Sequence, residues 1–197
     1  MFITWRLDGS LPASALEQQP ASLKQATAGQ VFRALDSLLD AAPNGPVWLS
    51  NPRVAALVVS ILRRGESERN LYRLAAFVVM SNHVHVLLEP IAPVARITQW
   101  IKGTTAREAN QLLGRVGGPF WQHESYDHWV RNEKEFQQIV RYIELNPVAA
   151  GLVDRIENWP WSSACAANAG EAGAGQAEAC PTGAPIPTRW LGLPDGG

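Results

Sequence analysis

The stretch SNHVHVLLEP, residues 81–90, decides how this chain is read. Its valines and leucines mark a strand, yet it holds two of the chain's four histidines, His83 and His85. Successive side chains on a strand point to opposite faces, so the two imidazoles share one face, with Cα atoms roughly 6.5 Å apart. Val84, Val86 and Leu88 form the other face and can pack under helices. Two neutral imidazoles converging from adjacent same-face positions can bind one divalent cation, provided another element supplies further donors. Taken alone, an isolated H-x-H is more often the polar face of a half-buried strand. The same pattern also occurs in metal-binding β-barrels of the cupin type, against which count several well-marked helices and too few strands.

Working outward, LYRLAAFVVM precedes the stretch and is continuous, apolar and β-rich. Ser81–Asn82 between them is a plausible tight turn, so residues 71–90 read as a central hairpin. FITWRL, closed by Asp8–Gly9, reads as an opening strand. Helical spacing of Val31, Leu35, Leu38 and Leu39 predicts a helix over residues 22–42, ended by Pro43. Asn51 as N-cap with Pro52 at the first helical position starts a second helix, which runs to about Gly65 with Val54, Leu57, Val58, Ile61 and Leu62 on one face. A third begins near Ile97 and ends near Leu113. Asn132 and Glu135 resemble a capping box for a last helix carrying Phe136, Ile139, Val140 and Ile143, which Pro147 is expected to stop. Strands mixed with helices around a hairpin predict an α+β fold, an antiparallel sheet with helices packed on it.

At 197 residues, with 46% hydrophobic and 18% charged residues, the chain has the composition of one globular domain. That domain is expected over residues 1–164, and the Ala/Gly/Pro-rich residues 165–197 read as a disordered tail. No apolar run approaches the roughly 20 residues of a membrane span, and the opening residues lack a signal-peptide pattern. Cys165 and Cys180 indicate neither a disulfide framework nor a zinc site, so a reducing cytoplasm is expected. Net charge is −1, so nucleic-acid binding would have to rest on local patches rather than on a basic domain.

RYIELNPVAAGLV, residues 141–153, places Tyr142 and Asn146 four apart and therefore stacked on one side of the last helix. A phenol is a nucleophile once deprotonated or hydrogen-bonded, and an asparagine oxygen is a hard neutral metal ligand. Tyr142 as a core-edge residue and Asn-Pro as a stop signal explain the same residues without chemistry. Tyr126, beside Asp127 and His128, is a rival nucleophile.

Together, FVVMSNHVHVLLEP, TQWIKGTTAREAN, FWQHESYDHWVRNEKEF, RYIELNPVAAGLV and WPWSS, in that order, resemble the REP-associated tyrosine transposases of the single-tyrosine HUH endonuclease superfamily, over residues 3–164. The resemblance implies a ferredoxin-like fold, His83 and His85 as metal ligands for Mg²⁺ or Mn²⁺, and Tyr142 as nucleophile. Asn146 stands where the wider group has glutamine and would complete the metal site. His128 matches a recurrent histidine without an assigned step. The implied reaction is cleavage and rejoining of single-stranded DNA at hairpin-forming palindromic repeats through a 5′-phosphotyrosine, with a non-catalytic binder of hairpin DNA or RNA as the competing reading. Trp100, Trp121 and Trp129 are candidate stacking platforms, and Lys102, Arg107 and Arg131 candidate phosphate contacts. Whether the protein is a monomer or a homodimer stays open.

Overall fold

A computed structural model of the chain describes residues 1–11, 38–39, 45–115 and 117–165. Strand β1, Phe2–Arg6, is followed by helix α1, Pro52–Ser67, then by strands β2, Tyr72–Val79, and β3, His83–Pro90. Helix α2, Val94–Leu112, strand β4, Tyr126–His128, and helix α3, Glu133–Ala149, complete the order. The sheet runs β2-β3-β1-β4 and every pairing is antiparallel. Reading β1–α1–β2–β3–α2–β4 with that strand order, the domain has the ferredoxin-like arrangement, with α3 added. The α+β class expected from the sequence is the class found. No helix among the described residues is long and apolar enough to cross a membrane.

Helices cover both faces of the sheet. On one face Ile3, Trp5, Leu7, Phe77, Val79, Val84, Val86 and Leu88 pack with Val54, Val58 and Leu62 of α1 and Ile97 and Ile101 of α2. On the other, Phe2, Ala76, Val78, Met80 and Leu87 meet Ile143 of α3, with Phe136, Ile139 and Val140 alongside. The hairpin expected at residues 71–90 is present, and Met80 N–H donates to His83 O at 2.9 Å across its turn. The continuous apolar run of β2 has two causes: the strand is buried on both faces, and its register shifts between Leu74 and Ala76. Tyr72 and Leu74 before that bulge therefore face the same core as Phe77 and Val79 after it. The outer edge of β2 is covered by the WPWSS segment: Val79 N–H donates to Trp161 O and Ser163 N–H to Phe77 O, both at 2.9 Å.

Local signals place the helices. Asn51 Oδ1 accepts from Arg53 N–H at 3.0 Å and starts α1, with Pro52 in its first turn. Gly65, on the inner side of α1, leaves room for the Tyr72 ring; a Cβ there would collide with the phenol, whose hydroxyl donates to Leu62 O at 2.7 Å. Helix α2 starts three residues earlier than the spacing of its apolar positions suggests, because Pro93 can occupy the N-cap position. At the start of α3, Asn132 Oδ1 accepts from Glu135 N–H at 2.9 Å, as expected. The Glu135 carboxylate reaches back to Arg131 N–H at 2.7 Å rather than to the cap's own N–H.

Pro147 does not stop the last helix, contrary to expectation: α3 continues to Ala149 with Pro147 buried in its final turn. A proline removes its own N–H and crowds the carbonyl four residues back, yet here the ladder resumes beyond it, Ala150 N–H donating to Asn146 O at 3.0 Å and Leu152 N–H to Pro147 O at 2.9 Å. Of the helix expected over residues 22–42, Leu38 and Leu39 are described and are helical. The rest of that expectation, and the tail expected over residues 165–197 apart from Cys165, lie outside the described residues.

Candidate active site

Register puts a polar row on the α3 face of the sheet. His83 stands opposite Arg6, His85 opposite Thr4, and Thr4 opposite Tyr126; one step along, Leu87, Phe2 and His128 form the next row. Cross-strand partners share a face, so both histidines, Arg6, Thr4, Tyr126 and His128 point the same way. The two imidazoles are fully buried, with ring centroids 4.7 Å apart.

Each imidazole is held from behind. Asn82 Nδ2 donates to Leu39 O at 2.7 Å, which fixes its amide so that Oδ1, 2.7 Å from His83 Nδ1, accepts a hydrogen bond from that nitrogen. A proton on Nδ1 puts the lone pair of neutral His83 on Nε2. Thr4 Oγ1 lies 2.8 Å from His85 Nδ1 and orients the second ring from the same side. Metal-ligating histidines are usually oriented by such a partner at the other ring nitrogen.

Helix α3 brings the remaining donors. The Asn146 side chain is buried and its amide Nδ2 stands 3.4 Å from His85 Nε2; the amide turned over places Oδ1 there instead. The half-buried Tyr142 ring packs edge-on against His85, 5.7 Å between centroids, and against Phe2 at 6.4 Å. The two stretches singled out in the sequence, SNHVHVLLEP and RYIELNP, therefore meet. Among the described residues no cluster of His, Cys, Asp or Glu side chains large enough to hold an ion by itself occurs, so a cation here would need the amide beside the imidazoles. Two imidazole nitrogens and one amide oxygen form a neutral donor set that fits a divalent cation and leaves positions for phosphate oxygens.

A cleft of about 520 Å³ opens in front of this group, lined by Phe2, Tyr126, His128, Glu135, Tyr142 and Asn146 among others. His128 Nε2 and Glu135 Oε1 are 2.8 Å apart on its wall. Burial raises the Glu135 pKa, but the hydrogen bonds from Arg131 N–H and His128 outweigh it and hold the carboxyl below its usual range. Tyr126 shares the cleft. Burial, then the charges of Asp127 and Glu135, push its phenol pKa up, which disfavours the nucleophilic phenolate.

The other residues singled out separate into two groups. Lys102 donates to Gln122 O at 2.7 Å, His123 O at 2.8 Å and Ser125 Oγ at 3.2 Å, so its ammonium latches the loop before β4 and would have to leave it to meet a phosphate. Burial, partly offset by Glu124, lowers its pKa. Trp121 corrects the expectation of a stacking platform: it is buried against Trp5 and Phe120, with its indole N–H donated to Thr105 Oγ1 at 2.7 Å, and it has no face to offer a base. Trp100 is partly buried against the same core. Trp129, 60% exposed next to His128, is the tryptophan whose position suits stacking. Arg107, beside Glu108 at 3.4 Å, is exposed on α2 away from the cleft, whereas Arg131 is exposed near its His128 end. Sequence reasoning missed Asn82, Thr4, Glu135 as a partner of His128, and Arg6. Their only signal was alternation with, or adjacency to, residues already singled out.

Residues 51–146 match the family described as "Transposase IS200 like". The chain is similar to a REP-associated tyrosine transposase of Escherichia coli K12, 28% identical over 95 residues, which are 47% of this chain and 54% of that protein. A putative REP-associated tyrosine transposase of Haemophilus influenzae is 37% identical over 104 residues, 47% of this chain and 58% of the relative. The matches thus span a little over half the length of these relatives. A solved structure of a REP-associated tyrosine transposase bound to a REP hairpin is similar over 82% of this chain and 74% of that one, with 19% identity and a TM-score of 0.45.

Proposed function

Because residues 51–146 carry the pattern of IS200-like transposases, we propose that this chain is a transposase of the REP-associated type. It would be a divalent-cation-dependent endonuclease and strand transferase acting on single-stranded, hairpin-forming repeat DNA. The observation that carries the reading is the meeting of Tyr142 and Asn146 with His85 across one cleft, from elements far apart in the sequence.

His83 Nε2, His85 Nε2 and the Asn146 amide oxygen are the donors for Mg²⁺ or Mn²⁺, which when bound would draw charge from the scissile phosphate. Asn82 keeps the His83 imidazole in the tautomer that presents Nε2, and Thr4 orients the His85 ring at its Nδ1. Phe2 and His85 confine the Tyr142 ring edge-on, limiting the directions its hydroxyl can take. The Tyr142 oxygen attacks phosphorus as its proton departs; the bond to the 3′ oxygen breaks, and that oxygen takes a proton to become a free 3′-OH. The product is a 5′-phosphotyrosine. Attack of a 3′-OH on it reverses the step and rejoins strands without a nucleotide cofactor, in keeping with the lack of a G-x-x-x-x-G-K-[ST] motif in the sequence.

The test is incubation of the full chain with Mn²⁺ and single-stranded hairpin oligonucleotides drawn from the repeats flanking its gene. A covalent protein–DNA band on a denaturing gel is expected with the wild type and with Tyr126→Phe, and none with Tyr142→Phe. No band from the wild type would leave a non-catalytic hairpin binder. Loss of the band in Tyr126→Phe alone would move the nucleophile to Tyr126.

A further inference from the structure

The sheet face that carries the histidine pair also carries a cation that nothing described so far uses. Arg6 is the last residue of β1 and stands opposite His83 in the antiparallel register. Cα atoms of such a pair lie roughly 4.5–5.5 Å apart and their side chains share a face. Its backbone carbonyl is engaged, accepting from Gln122 N–H at 2.9 Å. Its side chain is not: Nη1 is buried and makes no hydrogen bond. Among the described residues the guanidinium forms no ion pair either, although the charges of Glu124 and Asp8 are felt.

A half-buried guanidinium with an unsatisfied N–H is an unfavourable way to leave five donors. Burial lowers its pKa, the mark of a charge removed from water without full compensation. A planar fork of this kind matches the oxygens of a phosphate, which it can take up in two parallel charge-assisted bonds. Position agrees with that chemistry. Phe2, Thr4 and Arg6 follow each other on one face of β1 at steps of roughly 6.6–6.8 Å. Phe2 walls the cleft and Thr4 holds His85, so Arg6 marks the far side of the histidine pair from the cleft. Lys102 does not duplicate it, because its ammonium is spent on the carbonyls of the loop at residues 122–124.

We propose that Arg6 is a phosphate-binding residue. Resting on the DNA-cleaving reading above, it grips the backbone phosphate that lies beyond the histidine pair, next to the one attacked by Tyr142. Binding satisfies Nη1 and sets the register of the strand across the metal donors, which makes Arg6 a substrate-binding residue.

The test uses the full chain with ¹⁵N-labelled arginine. The Arg6 Nε–Hε resonance, identified by its absence in Arg6→Gln, is expected to shift saturably on titration with inorganic phosphate, and to do so equally in Tyr142→Phe. A resonance that stays still, or drifts linearly like that of exposed Arg131, overturns the proposal. A second arm measures binding of a single-stranded hairpin oligonucleotide against salt. Losing one phosphate contact lowers the slope of log K on log [salt] by about 0.7, so Arg6→Gln should show that drop and Arg6→Lys, which keeps the charge, much less of one. An unchanged slope in Arg6→Gln overturns the contact with DNA. Saturable phosphate binding at Arg6 without any covalent DNA adduct would instead refute the nuclease reading and leave Arg6 an anion site.

Discussion

Replacing Asn82 by alanine separates what the amide does for the fold from what it does for the site. The side chain makes two buried hydrogen bonds, to His83 Nδ1 and to Leu39 O, each 2.7 Å long. Its removal leaves an imidazole N–H and a carbonyl unsatisfied, at about 1–3 kcal/mol each. The expected loss is therefore about 2–6 kcal/mol, or roughly 4–24 °C in Tm for a domain of this size. The second effect is on metal. Without a partner at Nδ1, His83 is free to turn and to change tautomer, and loss of such a partner typically weakens metal binding about 10–100-fold. Asn82→Asp keeps an acceptor for Nδ1–H but gives up the donor to Leu39, so it should regain Mn²⁺ affinity while remaining less stable than the wild type. The assays are thermal unfolding followed by circular dichroism and titration of the full chain with Mn²⁺ read by the paramagnetic resonance of the free ion. If Asn82→Ala lost stability but bound Mn²⁺ as tightly as the wild type, Asn82 would be a structural residue and the tautomer argument would fail. If the wild type bound no Mn²⁺, the donor set itself would be refuted.

Three further substitutions test the packing. Trp129→Ala should leave Tm unchanged, since the ring is 60% exposed, but weaken binding of single-stranded oligonucleotides by about 1–3 kcal/mol if a base stacks there; Trp121→Ala should do the reverse, destabilising the fold by about 3–5 kcal/mol because it empties a core site. Equal effects of the two on unfolding would contradict their assigned places. Gly65→Ala improves helix propensity by at most about 1 kcal/mol but drives a methyl into the Tyr72 phenol, and overpacking of that kind costs about 1–3 kcal/mol; chemical denaturation should show net destabilisation, and a more stable variant would mean that Tyr72 can move aside.

Strands β1, β2 and β3 and the starts of α1 and α3 were legible because each rests on a local signal. Asn51–Pro52 and Asn132 are caps, Ser81–Asn82 is a turn, and the alternation in HVHVLL assigns faces without any tertiary information. The boundary errors have local causes too. Pro147 marks an end only if the ladder cannot resume beyond it, and whether it can depends on bonds made by Ala150 and Leu152. Strand β4 has little intrinsic β character, and Tyr126–His128 is a strand because β1 offers it an edge. The site was half legible. His83, His85, Tyr142 and Asn146 stand out as residue types, whereas Asn82 reads as a turn residue and Arg6 as an ordinary strand-end charge until register places them beside His83. Trp121 misled because exposure cannot be read from a residue's type: a tryptophan that fills a core and one that offers its face to solvent look alike in sequence.

The two faces of the sheet explain how a chain of this size keeps fully buried histidines. The face under α1 and α2 carries the larger apolar core, with Trp5, Val84, Val86 and Leu88 all at most 2% exposed. The α3 face can therefore hold a polar row without being the main source of stability. The histidines of that row tolerate burial because neighbours hold them, Asn82 at His83, Thr4 and Asn146 at His85, whereas Nη1 of Arg6 goes without a hydrogen bond. Helix α3 closes over it through Phe136, Ile139, Val140 and Ile143, and in doing so sets Tyr142 and Asn146 over His85. The apolar stripe and the two chemical residues of α3 are thus one device. Rotating the helix by a single residue, about 100°, would bury polar atoms and expose the stripe, so the packing that stabilises the helix also fixes where the phenol points.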